Sequence, residues 1–159
     1  MKRVLFVCTG NICRSPTAEA VFRKFVADAG LDGHIGMESA GTTDYHTGDP
    51  PDPRAQAAAR MRGYDLSRLR ARRVGPADFQ RFDLIIAMDR EHREFLARLA
   101  PPDSAHKVRM MMEFASRSKH AEVPDPYYGG PEGFDFVLDL LEDAAEGLLG
   151  TLRSELDAH

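Results

Sequence analysis

Apolar residues along the chain fall into short unbroken runs that alternate with longer segments of helical spacing. Val4–Val7 and Leu84–Met88 are apolar at every position, a pattern typical of strands covered on both faces in a parallel sheet. Two further runs, Ile35–Ala40 and Val108–Met112, have the length and composition of strands. The pattern therefore predicts four strands.

The segments between these strands have the features of helices. The first helix is predicted to begin with Ser15 as its N-cap and Pro16 in the first helical position, and to end near Gly30. Its apolar residues recur at steps of three and four: Ala18, Val21, Phe22, Phe25, Val26 and Ala29. Three more helices are predicted at 52–61, 89–99 and 131–152, each opened by an aspartate or a proline.

Strands that alternate with helices are typical of parallel sheets joined by right-handed crossovers. The sequence therefore predicts an α/β fold, with a single domain over residues 1–159 in three α/β/α layers around a four-stranded parallel sheet. Ligands of such sheets bind beyond the carboxyl ends of the strands, and Cys8, Ser39 and Asp89 all fall at predicted ends. We expect Asp89 to cap a helix.

The loop between the first strand and the first helix reads C-T-G-N-I-C-R-S at residues 8–15. Such a loop is a ready anion site, because its backbone N–H groups converge and the helix N-terminus adds a partial positive charge. Gly10 lets the backbone approach a ligand, and Asn11 tolerates a left-handed turn. The candidate phosphate-binding residues are Thr9, Gly10, Asn11, Ile12, Cys13, Arg14 and Ser15.

Cys8 and Arg14 stand at the two ends of this loop. A helix N-terminus and a neighbouring cation both favour the thiolate of a cysteine, which is its nucleophilic form. An arginine suits phosphate because two parallel N–H groups bind two oxygens, and the Ser15 hydroxyl can donate to the sulfur when the sulfur leaves. A buried thiol is more often inert packing. The preceding strand, the Gly-Asn turn and the Ser-Pro helix start together favour the anion site.

Composition argues against several other classes of protein. The chain is 43% hydrophobic and 29% charged, as in ordinary globular domains, and its formal charge of -4 argues against a general nucleic-acid binder. We expect no signal peptide and no membrane span, because the apolar runs are too short. Two cysteines in one loop indicate a reducing compartment, by default the cytoplasm. The histidines lack ligand spacing, so neither a metal nor a cofactor is expected.

Five stretches of the chain together resemble one family of enzymes. They are C-T-G-N-I-C-R-S-P at residues 8–16, S-A-G-T at 39–42, P-P-D-P-R at 50–54, A-M-D at 87–89 and D-P-Y-Y-G at 125–129. In this order they are similar to the low-molecular-weight protein tyrosine phosphatases. The resemblance covers essentially all 159 residues, and it is more specific for fold and catalytic machinery than for substrate.

The resemblance implies that Asp125 is the general acid. From the residues alone, an aspartate between two prolines is more often a turn residue, although the adjoining Tyr127 and Tyr128 suggest the wall of a pocket. In the implied mechanism Cys8 attacks phosphorus and Arg14 holds the phosphate oxygens. Asp125 protonates the leaving oxygen and then activates the water that hydrolyses the phosphocysteine. The positive field comes from the arginine and the loop amides.

The resemblance also implies the residues around these catalytic groups. The substrate pocket is walled by Ile12, Tyr45, Tyr127 and Tyr128, which suits a flat ring. The loop is supported by Asn11, Ser15, Glu19 and Ser39. The family often has a histidine that supports the loop asparagine where this chain has Leu69, so we expect that part of the support to differ here. For Cys13, either packing under the loop or a reversible disulfide with Cys8 is open.

Other functions remain as alternatives. By resemblance, phosphoarginine phosphatases of this fold carry threonine at the position of Ile12 and lack the paired tyrosines, so this chain favours phosphotyrosine. A non-catalytic phosphate-binding module would need neither thiolate nor proton donor. Arsenate reductases need further cysteines, and none follows Cys13. The expected partners are phosphotyrosine-containing proteins or small aryl phosphates, with inorganic phosphate as product and no nucleic acid or membrane. We expect a monomer or a weak dimer.

Overall fold

The first strand, β1 (Lys2–Cys8), lies inside the sheet because its residues Val4–Val7 expose no surface on either face. It pairs in parallel with β2 (Ile35–Gly41) on one side and with β3 (Leu84–Ala87) on the other. The fourth strand, β4 (Val108–Met110), pairs with β3, so the order is β2-β1-β3-β4. The computed structural model describes residues 1–158. The last residue of the predicted domain, His159, lies outside the described residues.

Within residues 1–158, five α-helices connect and follow the strands. Their bounds are Arg14–Asp28 for α1, Pro53–Met61 for α2, Asp78–Arg81 for α3, Arg90–Leu99 for α4 and Pro131–Asp157 for α5. Short 3₁₀ helices flank β4 at Ala105–Lys107 and Met111–Phe114. None of the helices within residues 1–158 is long and apolar enough to cross a membrane.

Alternate side chains of β1 enter two separate cores, one on each face of the sheet. Val4 and Phe6 pack in a core with the apolar residues of α1, α2 and α5. Leu5 and Val7 pack on the other face, with Phe79 of α3 and residues of α4. The three layers therefore follow from the period of two along a strand with both faces buried. The predicted three-layer α/β fold with a four-stranded parallel sheet is confirmed.

The structure differs from the sequence-based expectation at three places. The fourth strand was expected to run to Met112, but it ends at Met110 and the next residues form a 3₁₀ helix. This 3₁₀ helix packs tightly against α5, where a Cβ on Gly147 would overlap the Phe114 carbonyl oxygen. The short helix α3 was not predicted, because four residues are too few to show helical periodicity. The predicted cap of α1, Ser15, is also wrong: the helix begins at Arg14 and its N-cap is Cys13.

The carboxyl ends of β1 and β2 lie side by side, with Cys8 opposite Gly41. A Cβ on Gly41 would lie 2.6 Å from the carbonyl oxygen of Thr9 and 3.1 Å from the amide nitrogen of Asn11. Only a glycine therefore allows the loop after β1 to pack directly on the end of β2.

We predict that Gly41→Ala displaces this loop and lowers the free energy of unfolding by about 1–3 kcal/mol, the usual cost of overpacking. Gly36→Ala on the same strand is the matched control, because its Cβ would meet nothing closer than 3.6 Å. The control should change stability by less than about 0.5 kcal/mol in urea unfolding. Equal effects of the two variants would contradict the prediction.

Candidate active site

In the loop after β1, the backbone carbonyl oxygens and the backbone amides have different surroundings. Carbonyl oxygens of the loop accept hydrogen bonds from neighbouring segments: Cys8 from Thr42 N at 2.9 Å, Thr9 from Thr43 N at 3.1 Å and Ile12 from Asp52 N at 2.8 Å. By contrast, within residues 1–158 the backbone N–H groups of Gly10–Cys13 donate to no protein acceptor. Asn11 has the predicted positive φ, at 59°. The loop is thus anchored through its oxygens, and its amides are free for an anion.

The sulfur of Cys8 lies at the base of this loop, 2.9 Å from Ser15 Oγ. Ser15 Oγ accepts from Asn11 Nδ2 at 2.7 Å, so its own proton is free for the sulfur or for Ala40 O at 3.3 Å. This contact explains why Ser15 does not cap α1: its hydroxyl faces the sulfur and not the helix amides. The predicted contact between the hydroxyl and the sulfur is present.

The side chain of Asn11 lies at the centre of a buried network behind the loop. Its Nδ2 also donates to Ser39 Oγ at 3.0 Å, and Ser39 Oγ donates to Glu19 Oε1 at 2.8 Å. Its Oδ1 accepts from the amide of Arg72 at 3.0 Å. Both hydrogens of Asn11 Nδ2 and its Oδ1 therefore have partners. Leu69, which stands where the resemblance places a supporting histidine, packs against the apolar core.

The side chain of Arg14 is 4% exposed and its charge is balanced by a neighbouring carboxylate. Its Nη1 donates to Asp89 Oδ2 at 2.8 Å and to the Val123 carbonyl oxygen at 3.0 Å. Asp89 also caps α4 as predicted, accepting from the amide of His92 at 3.1 Å. Burial acts to raise the pKa of Asp89, but the hydrogen bonds from His92 and Arg14 outweigh it and hold that pKa below its usual value.

Asp125 comes from the distant segment between β4 and α5. Its Oδ2 lies 3.8 Å from Arg14 Nη2, and its Oδ1 accepts from the amide of Tyr127 at 3.0 Å. Its side chain is 46% exposed, in contrast with the buried arginine. Cys8, Arg14 and Asp125 all line one cleft of about 280 Å³.

Aromatic side chains form the outer wall of this cleft. Tyr45, Tyr127 and Tyr128 all line it, and Tyr45 and Tyr128 are 82% and 90% exposed. The rings of Tyr127 and Tyr128 meet edge to face with centroids 5.0 Å apart. Arg54, which pairs with Asp52, stacks over the Tyr127 ring at 5.2 Å. The sequence-predicted pocket residues, Ile12 included, are thus brought together.

The structure adds residues that sequence reasoning missed. Thr43 and His46 also line the cleft, and His92 of α4 contacts Thr9 behind it. For Thr43, the available signal was its position directly after the S-A-G-T stretch, which lies at the end of a predicted strand. For His92, the only signal was its position three residues after the cap Asp89, which turns its side chain back toward the sheet end.

Both cysteines of the loop are free and buried. Burial, followed by the negative charge of Asp52, raises the pKa of Cys13 to about 12. Cys13 therefore stays a thiol at neutral pH. In the part of the chain that the structure describes, no group of three or more histidine, cysteine, aspartate or glutamate side chains is arranged to hold a metal ion.

The fold and the site define a class of protein. A cysteine at the base of an amide-rich loop, a buried arginine beside it and a carboxylate at the mouth are the parts of an enzyme that transfers a phosphoryl group through cysteine. Comparison with known proteins agrees with this class and identifies one family within it.

A family model described as low molecular weight phosphotyrosine protein phosphatase matches residues 3–158. A putative low molecular weight protein-tyrosine-phosphatase of Synechocystis sp. is 48% identical over 155 residues, covering 97% of this chain and 98% of that protein. The corresponding phosphatase of Streptomyces coelicolor is 46% identical over 158 residues, covering 98% and 96%. A protein tyrosine phosphatase from Entamoeba histolytica, solved with Hepes in its active site, superposes with a TM-score of 0.95 at 42% identity, covering 98% and 99%. The chain belongs to the low molecular weight phosphotyrosine protein phosphatase family.

We predict that Cys13 resists alkylation in a Cys8→Ser variant, because its raised pKa leaves almost no thiolate at pH 8. Labelling by iodoacetamide in the folded protein should be at least about a hundredfold slower than in the urea-unfolded chain, where the thiol is ordinary. Mass spectrometry over time measures both rates. Similar rates in the folded and unfolded protein would contradict the prediction.

Proposed function

We propose that this protein hydrolyses phosphotyrosine in proteins, with Cys8 as nucleophile, Arg14 as phosphate clamp and Asp125 as general acid and base. The observation that carries the proposal is that these three side chains line one cleft whose outer wall is aromatic. The phosphate-binding residues are those of the loop from Thr9 to Ser15. The products are the free tyrosine side chain and inorganic phosphate.

In the first step the Cys8 sulfur forms a bond to phosphorus while the bond from phosphorus to the tyrosine oxygen breaks. The free amides of Gly10–Cys13 bind the phosphoryl oxygens, and Arg14 binds them from the side. The Ser15 hydroxyl, 2.9 Å from Sγ, stabilises the sulfur as an anion before attack and again as the leaving group.

The leaving oxygen takes a proton from Asp125. This carboxyl is half exposed and lies close to Arg14 without a hydrogen bond to it, so it can meet an oxygen that projects out of the loop. In the second step a water attacks phosphorus, its proton passes to Asp125, and the sulfur–phosphorus bond breaks. The carboxyl is thereby returned to its starting protonation state.

The aromatic wall supports an aryl ester over phosphoarginine as substrate. A phosphotyrosine ring that enters the cleft lies among Tyr45, Tyr127 and Tyr128, which offer flat faces and edges for stacking. Ile12 adds an apolar contact and no hydroxyl for a guanidinium group. Small aryl phosphates fit the same wall.

The same residues bear on the oligomeric state and the cellular compartment of the proposed reaction. Every group used in it lies within one chain, so we propose that a monomer is sufficient for the reaction. The Cys8 sulfur must stay reduced for attack, which favours a reducing compartment such as the cytoplasm.

We predict that Cys8→Ser abolishes turnover of phosphotyrosine peptides, since the hydroxyl is a much weaker nucleophile at neutral pH. Wild-type protein that is acid-quenched during turnover should carry one phosphate on Cys8, detected by mass spectrometry. Phosphoarginine and phosphoserine peptides, assayed in parallel, should be hydrolysed far more slowly. Faster hydrolysis of phosphoarginine would reassign the substrate, and a turnover mixture without phosphocysteine would refute the mechanism.

We predict that Asp125→Ala slows hydrolysis by about 10²–10⁴-fold for esters with poor leaving groups, the usual contribution of a general acid. Phenyl phosphate is such an ester, whereas p-nitrophenyl phosphate, whose leaving group needs little protonation, should be slowed much less. Asp32→Ala, which removes an exposed aspartate outside the cleft, is the matched control. Equal slowing of both esters would exclude Asp125 as the acid.

A further inference from the structure

A buried histidine outside the proposed catalytic set contacts the phosphate-binding loop. His92 of α4 is 2% exposed, and its Nε2 lies 2.8 Å from Thr9 Oγ1. The same Thr9 oxygen accepts from Arg14 Nη2 at 3.4 Å. One arm of the arginine therefore reaches His92 through a single hydroxyl.

The other arm of the arginine reaches the same histidine through a carboxylate. Arg14 Nη1 donates to Asp89 Oδ2, and Asp89 Oδ1 accepts from the backbone amide of His92. The ring atom Nδ1 of His92 also lies 3.1 Å from Asp89 Oδ1, at an angle that does not make a hydrogen bond. Arg14, Thr9, His92 and Asp89 thus form a closed polar ring.

One tautomer of His92 suits its surroundings better than the other. Burial, together with the charge of Arg14, lowers the pKa of His92 to about 4, so the imidazole is neutral at neutral pH. A proton on Nδ1 faces the Asp89 carboxylate, whereas a bare Nδ1 would direct its lone pair at that carboxylate. Nε2 then accepts the Thr9 hydroxyl proton, and the Thr9 oxygen is free to accept from Arg14.

We propose that His92 is a positioning residue for catalysis: through Thr9 and Asp89 it holds the Arg14 guanidinium in the orientation that clamps phosphate. This inference rests on the function proposed above. A role in packing alone would be better served by an apolar side chain, because a buried Nδ1 without a hydrogen bond is costly.

The ring matters because Arg14 must be aligned before substrate arrives. The arginine spans from the loop to the segment of Val123, and a guanidinium that rotates away would lose its paired contacts to phosphate. Asp89 fixes one nitrogen of the guanidinium, and Thr9, oriented by His92, fixes the second. Two fixed nitrogens define the plane of the group.

The test uses full-length variants and phosphotyrosine peptide as substrate. His92→Leu removes the ring contact, and His92→Gln restores a polar group that can reach Thr9. Thr9→Val removes the hydroxyl from the other side of the same contact. Leu96→Val, one turn further along α4 and fully buried, is the control for a general disturbance of this helix.

We predict that His92→Leu lowers kcat by about three- to tenfold, the worth of one hydrogen bond, and weakens vanadate inhibition by the same factor. KM should change by less than about twofold, because the alignment matters most in the transition state. His92→Gln should recover most of the loss. Thr9→Val combined with His92→Leu should lower kcat no further than the larger single effect.

Several results would overturn the proposal. A wild-type kcat in the His92→Leu variant would do so. A double variant whose loss of kcat is the product of the losses in Thr9→Val and His92→Leu would also overturn it. An equal loss of kcat in Leu96→Val would show that only helix packing was disturbed. If instead the wild-type protein itself fails to hydrolyse phosphotyrosine peptides, the proposed function is wrong, and that outcome is separate because it appears before any variant is made.

Discussion

The structure of the site depends on keeping one cation buried. Arg14 exposes almost none of its side chain, and a guanidinium in that position is tolerable only where carboxylate and carbonyl oxygens surround it. These oxygens come from Asp89 at the start of α4 and from Val123 in the segment before α5. The need to neutralise one side chain therefore draws three distant parts of the chain to the same edge of the sheet.

The sheet gives this edge its rigidity. β1 is paired on both sides and packed on both faces, so the loop that follows it starts from a fixed point. Its carbonyl oxygens are then tied to the segments after β2 and before α2, through Thr42, Thr43 and Asp52. The peptide groups that carry the amides of Gly10 and Cys13 are held through the carbonyl oxygens of Thr9 and Ile12, so these two free amides stay in place for a ligand.

Much of this arrangement could be predicted from the sequence, because local signals and the final contacts agree. Asp52 and Asp89 have the sequence features of helix caps, and in the structure both cap a helix. Asn11 reads as a left-handed residue and has positive φ. The periodicity of the apolar runs specified the layers, since each run is short and separated from the next by a clear helix start or stop.

The errors arose where a tertiary contact overrides a local signal. Ser15 has the local features of a cap, but the sulfur of Cys8 and the amide of Asn11 occupy its hydroxyl. Met111 is apolar like a strand residue, yet it lies in a 3₁₀ helix packed under α5. His92 gave little sign of its role, because its partner Thr9 is 83 residues away and nothing local links the two.

The contrast in exposure between the two halves of the site has an evolutionary consequence. The groups around the sulfur and the arginine are buried and share partners, so most substitutions there would disturb several contacts at once. Tyr45 and Tyr128 extend almost freely into solvent from surface segments. Under the function proposed above, descendants of this chain can therefore exchange the tyrosines and acquire new substrates while inheriting the chemical step intact.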